Sequence, residues 1–252
     1  MIDLHSHILP GLDDGVRTLE ASVDLARRAA ESGVEAIAAT PHVREDYPTS
    51  VEAMNRVLAE VRACIEFEHL PVRLLPGGEI GLEQLDVRRP EELRGFGLGG
   101  NPAYLLVEAP YYGLPIDFEE RLFRLRALEI TPVLAHPERS PALRDDPELI
   151  RRIVGSGTLV QLTAGSLAGT EGRSALDAAV ALVDAGLAHL AASDAHGPEV
   201  GRAGLDSVVS SLSDRALANW LTCDVPAAIV SGDPLPQRPG RSRPRLFARP
   251  GR

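Results

Sequence analysis

Residues 1–39 read MIDLHSHILPGLDDGVRTLEASVDLARRAAESGVEAIAA, and the order of patterns within them sets the fold class. Ile2–His7 is an apolar run of strand length. Thr18–Ser32 then puts Leu19, Val23, Ala26 and Ala30 on one helical stripe, with Thr18 as a candidate N-cap and Gly33 at the stop. Glu35–Ala39 is a second strand. A strand, a helix and a strand in so short a span imply parallel strands joined by a right-handed crossover.

The pattern repeats along the chain. Further strands are expected at Val72–Pro76, Ala103–Glu108, Thr131–Ala135, Thr158–Leu162 and His189–Ser193. Helical stretches fall near Ser50–Glu68, Asp117–Leu128, Pro147–Gly155, Gly172–Ala185 and Gly201–Ser211. Seven strands alternating with helices suggest a closed or nearly closed (β/α)7 barrel, with an open doubly wound sheet as the alternative. Length fits one domain with a substantial core, placed at residues 1–231.

Charge and composition narrow the chemistry. The 252 residues carry a net charge of −10 and contain no lysine, which excludes Schiff-base lysine chemistry and the phosphate-binding lysine of a P-loop. Residues 232–252 hold six Arg and one Asp, are rich in Pro, and are expected to form an unstructured tail. The remaining body is near −15, which argues against a nucleic-acid track. There is no apolar run of bilayer length and no signal-peptide pattern, so a cytoplasmic protein is expected. Cys64 and Cys223 are too few for a disulfide framework. The segment GFGLGG at 95–100 fits a dinucleotide-loop pattern but precedes a strand instead of following one, and reads as a flexible connection.

The chemistry-bearing residues gather at one end of the expected strands. His5 and His7 lie two apart, on one face of the first strand, and Asp14 follows in the loop. His42 ends AIAATPH, Glu79 ends RLLPGGE, Glu108 ends AYLLVE, His136 ends PVLAH, and Asp194 and His196 end HLAASDAH. Nine candidate ligands thus come from six strand ends, leaving His69 and His189 over. Any one of them has a plainer reading as a turn residue, a cap or a hydrogen-bonded structural histidine. Together, so many carboxylates and imidazoles would be costly to place side by side without cations. Imidazole and carboxylate without thiolate suit Mn, Fe or Zn, and a multinuclear cluster of this kind serves phosphate-ester hydrolysis.

The segments MIDLHSHILPGLDDG, ATPH, GGEIGL, YLLVEAPY, LAHPER and SDAHG resemble the polymerase and histidinol phosphatase (PHP) superfamily. Within it they are similar to the CpsB/CapC-type manganese-dependent protein-tyrosine phosphatases of bacterial capsule systems. The resemblance implies a distorted (β/α)7 TIM-like barrel, three divalent metal ions (manganese, with iron or zinc as alternatives) and a cytoplasmic enzyme. Its implied substrate is phosphotyrosine, usually in the tyrosine-rich tail of a polysaccharide-export tyrosine kinase. Carried over by position, it implies one ion on His5, His7, Glu79 and Asp194, a second on Glu79, Glu108 and His136, and a third on Asp14, His42 and His196. Arg139 becomes the candidate for binding phosphate oxygens, its alternative being a surface pair with Asp145 or Asp146. Arg202 is a second candidate on looser spacing. Tyr111 and Tyr112 follow the Glu108 strand, where packing or surface placement is favoured over a role in lining the mouth.

The expected mechanism is attack on phosphorus by a metal-bridging hydroxide, without a cysteinyl-phosphate intermediate. The residues six positions beyond Cys64 and Cys223 are Leu70 and Ile229, so no Cys-x5-Arg cradle exists. Alternatives are a PHP-type histidinol phosphatase or other small-molecule phosphoesterase, and a non-catalytic metal-binding or kinase-binding module. Metal identity and oligomeric state stay open at this level.

Overall fold

In the computed structural model, which describes residues 1–110, 113–197 and 204–240, a strand forms in each of the seven expected stretches, and after the second and third a break leads into a short further strand that was not expected. Tyr111, Tyr112, Arg202 and residues 241–252 lie outside the described residues. The strands are β1 (Ile2–Ser6), β2 (Ala36–Ala39), β3 (His42–Val43), β4 (Arg73–Pro76), β5 (Glu79–Gly81), β6 (Tyr104–Glu108), β7 (Thr131–Leu134), β8 (Leu159–Thr163) and β9 (Leu190–Ala192). They pair in two sheets, β1-β2-β4 and β3-β5-β6-β7-β8-β9, and every pair is parallel. At the far edge β1 runs beside β9: the Asp194 N–H donates to the His5 carbonyl and the His7 N–H to the Ala195 carbonyl, each at 2.9 Å. The architecture is a single α/β domain around a curled parallel sheet.

Both breaks have local causes. Thr40 and Pro41 separate β2 from β3, and proline has no N–H to offer a ladder. Gly77 and Gly78 separate β4 from β5; a Cβ on Gly78 would lie 2.8 Å from the Phe96 ring. Phe96 is fully buried, so the GFGLGG segment, expected as a flexible connection, is a packed turn that presses the backbone into this bend. Each break carries its strand's polar end residue, His42 or Glu79, into the second sheet, where the two are register partners.

Helices cover the outside of the sheet. Thr18 and Ser50 cap the Leu19–Glu31 and Val51–Phe67 helices through their hydroxyls, as sequence spacing foretells for the first. Their buried faces carry Val23, Leu25 and Ala26, and Met54, Leu58, Val61 and Ile65. A helical stretch that sequence reading does not anticipate runs from Arg215 to Ser231, with a π-helical turn at Trp220–Asp224. Pro226 would collide with the carbonyl four residues back in a regular helix, and the wider turn relieves that contact.

The Pro- and Arg-rich segment, expected to be unstructured from residue 232, is anchored as far as Arg238. Trp220 donates its indole N–H to the Pro236 carbonyl at 3.0 Å, and the Arg238 guanidinium donates to Val183 and Ala188 carbonyls. His189, left over in the sequence reading, accepts the Val160 N–H beneath this anchor; burial and then the Arg238 charge depress its pKa to about 4. No helix among the described residues is long and apolar enough to cross a membrane.

Candidate metal centre

Strand ends and the loops that follow them supply the nine residues, and β-alternation points His5 and His7 the same way. His5 lies in β1 and His7 just beyond it. His42 is the first residue of β3, Glu79 the first of β5, and Glu108 the last of β6. His136 and Asp194 follow β7 and β9 in left-handed backbone conformation, with φ of 31° and 55°. Non-glycine residues rarely adopt it, and such strain is kept where the surroundings over-determine it. Asp14 reaches back from the first loop, which closes over His7 at Gly15; a Cβ there would sit 2.3 Å from the His7 carbonyl oxygen.

The nine fall into four overlapping groups: His7, Asp14, His42 and His196; His5, Glu79 and His136; His5, His7 and Asp194; and His42, Glu79 and Glu108. The implied ligand set is therefore brought together, but grouped differently. His7 joins the Asp14 set, while His136 stands with His5 and Glu108 with His42. His5, His7 and Glu79 are wholly buried, whereas the side chains of His196 and Asp14 are 33% and 49% exposed, so the site opens on their side.

Hydrogen bonds fix how the inner histidines present themselves. The His5 Nδ1 meets the Gln161 Oε1 at 3.0 Å, and that oxygen also receives the His136 backbone N–H, so Nδ1 must be the donor. The His7 Nδ1 donates to Asp13 Oδ2 at 2.7 Å. With both protons on Nδ1, the two Nε2 atoms face each other at 3.3 Å. Glu79 Oε2 lies 3.3 and 3.4 Å from them, and Asp194 Oδ1 3.3 Å from each. Four electron-pair donors converge on one spot. Two N–H groups cannot point at one another across that gap, so protons satisfy the cluster poorly and a cation satisfies it at once.

Orphaned atoms say the same. Glu79 Oε2 and His42 Nδ1 are buried, 2.8 Å apart, and have no hydrogen-bond partner. The donor set and these atoms fit divalent ions.

Titration behaviour shows the demand for positive charge. Burial works against a charged His136, but the Glu79 hydrogen bond and the charges of Glu79, Asp194 and Glu108 outweigh it and raise its pKa to about 9. Against the same burial, the nearby His5 charge and the His136 hydrogen bond hold Glu79 well below the usual carboxylate range. Glu108 goes the other way, pushed up by burial and the nearby Glu79 charge.

Several contributors escape sequence reading. Asp13, beside the expected Asp14, accepts from His7 and from the backbone N–H groups of Gly15 and His42. Burial would raise its pKa, but the His7 hydrogen bond and charge bring it below normal. Gln161 orients His5, and Arg44 binds Glu108 Oε2 at 3.0 Å while lying over the Tyr47 ring. Only the DDG doublet offered a signal, and it did not say which Asp faces inward. Asp13→Ala is expected to lower metal affinity about 10–100-fold, because His7 loses the partner that fixes its tautomer. Titration calorimetry with Mn²⁺ on a folded variant measures this; unchanged affinity would remove Asp13 from the site.

Arg139 sits in the 3₁₀ turn Pro137–Arg139 and donates to Asp194 Oδ2, with Glu171 Oε2 at 3.8 Å from its Nε. It thus pairs with a candidate ligand, not with Asp145 or Asp146 as the alternative reading had it. Together with Thr163, Glu171, Ser193, Asp194 and His196 it lines a cavity of about 230 Å³ at the open side of the cluster. Arg202 lies outside the described residues.

Known proteins resemble this chain in sequence and fold. Tyrosine-protein phosphatase YwqE of Bacillus subtilis (strain 168) is 35% identical over 200 residues, covering 78% of this chain and 77% of that one. Tyrosine-protein phosphatase CpsB of Streptococcus agalactiae serotype V is 32% identical over 175 residues, 66% of this chain and 69% of that one. A crystal structure from a study of YwqE from Bacillus subtilis and CpsB from Streptococcus pneumoniae, described as unique metal-dependent tyrosine phosphatases, superposes with a TM-score of 0.83. It shares 28% identity, over 97% of this chain and all of that one. The family model for capsular polysaccharide synthesis, CpsB/CapC, matches residues 1–228, and the chain belongs to that family.

Proposed function

We propose that this protein hydrolyses phosphotyrosine in protein substrates, using divalent ions held by His5, His7, Asp14, His42, Glu79, Glu108, His136, Asp194 and His196. The carrying observation is the convergence of the His5 and His7 Nε2 atoms with Glu79 and Asp194 oxygens on one spot. We take the ions to be three, manganese first, with iron or zinc as alternatives. The two sheets are read as arcs of one distorted (β/α)7 barrel: Ala39 pairs with Pro76 and His42 with Glu79 at the same offset, so one strand pair continues across both breaks. That barrel is taken as the phosphatase domain, with the Pro/Arg-rich end as an appendage.

When bound, such ions supply positive charge to the phosphoryl oxygens and make a water nucleophilic near neutral pH. The chain's residues do the rest. Arg139, at the rim beside Asp194, offers a planar fork for two phosphoryl oxygens and neutralises charge as the bond to tyrosine breaks. Arg202 is proposed as a second such group. Tyrosinate, from a phenol of pKa about 10, leaves without a strong proton donor, so none need be assigned. Cys64 and Cys223 are free and neither belongs to the ligand groups, which speaks for direct transfer to water without a cysteinyl intermediate.

Family membership supports a bacterial tyrosine kinase of polysaccharide export as substrate, and the cytoplasm, where ATP feeds such kinases, as the place of action. The deciding experiment compares kcat/KM of Mn²⁺-loaded protein on a phosphotyrosyl peptide and on histidinol phosphate. Preference for the peptide, abolished by chelation, is expected. Preference for histidinol phosphate would overturn the reading in favour of a small-molecule phosphoesterase. Binding of a kinase tail with no phosphomonoester hydrolysis would make the protein a non-catalytic module.

A further inference from the structure

Beyond Arg139 the surface holds a second cavity, of about 260 Å³, that the proposed hydrolysis does not use. It is lined by Arg139 and Glu171, which it shares with the cavity at the metal cluster, and by Arg144, Arg173 and Ser174. The two spaces therefore adjoin at Arg139 and Glu171. In a chain with no lysine and a net charge of −10, three arginines against one glutamate line this hollow, while the carboxylates beside those arginines, Asp145, Asp177 and Asp194, are not among its lining residues.

The backbone adds to it. The Arg173–Asp184 helix begins at this wall with Gly172 as its N-cap, so no side chain caps its first amides, and its first turn carries no acidic residue. Those amides and the helix dipole favour an anion on the same side as the arginines.

Existing partners do not close the hollow. Arg173 pairs with Asp177 and Arg144 stands 3.9 Å from Asp145, but those carboxylates are 62% and 79% exposed. Glu171 is 38% exposed. Hydrated, solvent-screened ion pairs of this kind are worth little, so exchanging them for an incoming anion costs little.

We propose that this cavity is a subsite for an anionic side chain lying close to the scissile phosphotyrosine. The favoured substrates are then acidic phosphotyrosyl peptides, in which a carboxylate or a second phosphate within one to three residues occupies the Arg144–Arg173 hollow. This rests on the phosphotyrosine reading above and adds the substrate class to it. Arg139 marks the boundary between the scissile phosphate and the neighbouring anion, while Arg144 and Arg173 touch only the neighbour.

The test compares four probes with the metal-loaded full chain: p-nitrophenyl phosphate, and phosphotyrosyl peptides whose neighbouring position is Gln, Glu or a second phosphotyrosine. Wild type is expected to favour the Glu or doubly phosphorylated peptide over the Gln peptide by about threefold to fivefold in kcat/KM, chiefly through KM. The Glu and phosphotyrosine peptides distinguish which source of negative charge is read. The double variant Arg144→Ala/Arg173→Ala should lose that preference while turning over p-nitrophenyl phosphate at the wild-type rate. Equal kcat/KM for all three peptides in wild type, or a preference that survives in the double variant, overturns the subsite and leaves the phosphatase reading standing. No hydrolysis of any phosphotyrosyl peptide by wild type overturns both.

Discussion

Glu79→Gln is expected to abolish metal retention and to lower phosphotyrosine hydrolysis by roughly 10³-fold or more, a loss of about 4 kcal/mol in transition-state stabilisation. Glu79 belongs to two of the four candidate groups, and its two oxygens reach in different directions. Oε1 meets His136 Nε2 at 2.9 Å, while Oε2 lies within 3.4 Å of His5, His7 and His42 nitrogens. It thereby links His136 and His42 to the His5–His7 pair. Glutamine keeps the shape, so the wholly buried position should still pack. It removes the negative charge and turns an NH₂ group toward electron pairs that must point at a cation. Elemental analysis of dialysed protein, with turnover of a phosphotyrosyl peptide, measures both effects. A variant that keeps its full metal content and near-normal turnover would show that Glu79 is not the hub of the centre.

Much of this site was readable because a β-strand has a strict period and a barrel-like sheet has a functional end. His5 and His7, two apart, and the polar ends of AIAATPH, RLLPGGE, AYLLVE, PVLAH and HLAASDAH are local features, and the structure gathers all of them. What stayed hidden depends on contacts between distant segments. No pattern within DDG tells that Asp13 turns to His7 while Asp14 faces His42. Gln161 looks like any polar strand residue until β8 is laid beside β7, where its oxygen reaches both His5 and the His136 backbone. The grouping of ligands also depends on the pairing of β3 with β5, which sets His42 beside Glu79. The anchoring of residues 233–238 rests on Trp220, within a helical stretch whose amphipathic pattern is interrupted by Pro226 and the π-helical turn.

Arg139→Ala is expected to separate binding of metal from use of it: metal content stays at the wild-type level, and kcat on phosphotyrosyl peptide falls roughly 10²–10³-fold. The separation follows from where Arg139 makes its contacts. It donates to Asp194 Oδ2, while Asp194 Oδ1 is the atom that approaches His5 and His7. Truncation therefore leaves the metal-facing oxygen in place, still surrounded by the same imidazoles. It removes the guanidinium from the wall of the cavity that also holds His196 and Glu171, the space proposed above for the phosphoryl group. Arg139→Lys should recover only part of the loss, because a single ammonium supplies charge without the two parallel N–H groups that match a phosphoryl edge. Metal analysis and steady-state kinetics on the three proteins decide the matter. If Arg139→Ala loses metal and activity together, the residue acts through Asp194 as a support for the ligand shell. If it keeps both, the guanidinium takes no part in the reaction, and the phosphoryl oxygens must be met by the metal ions alone.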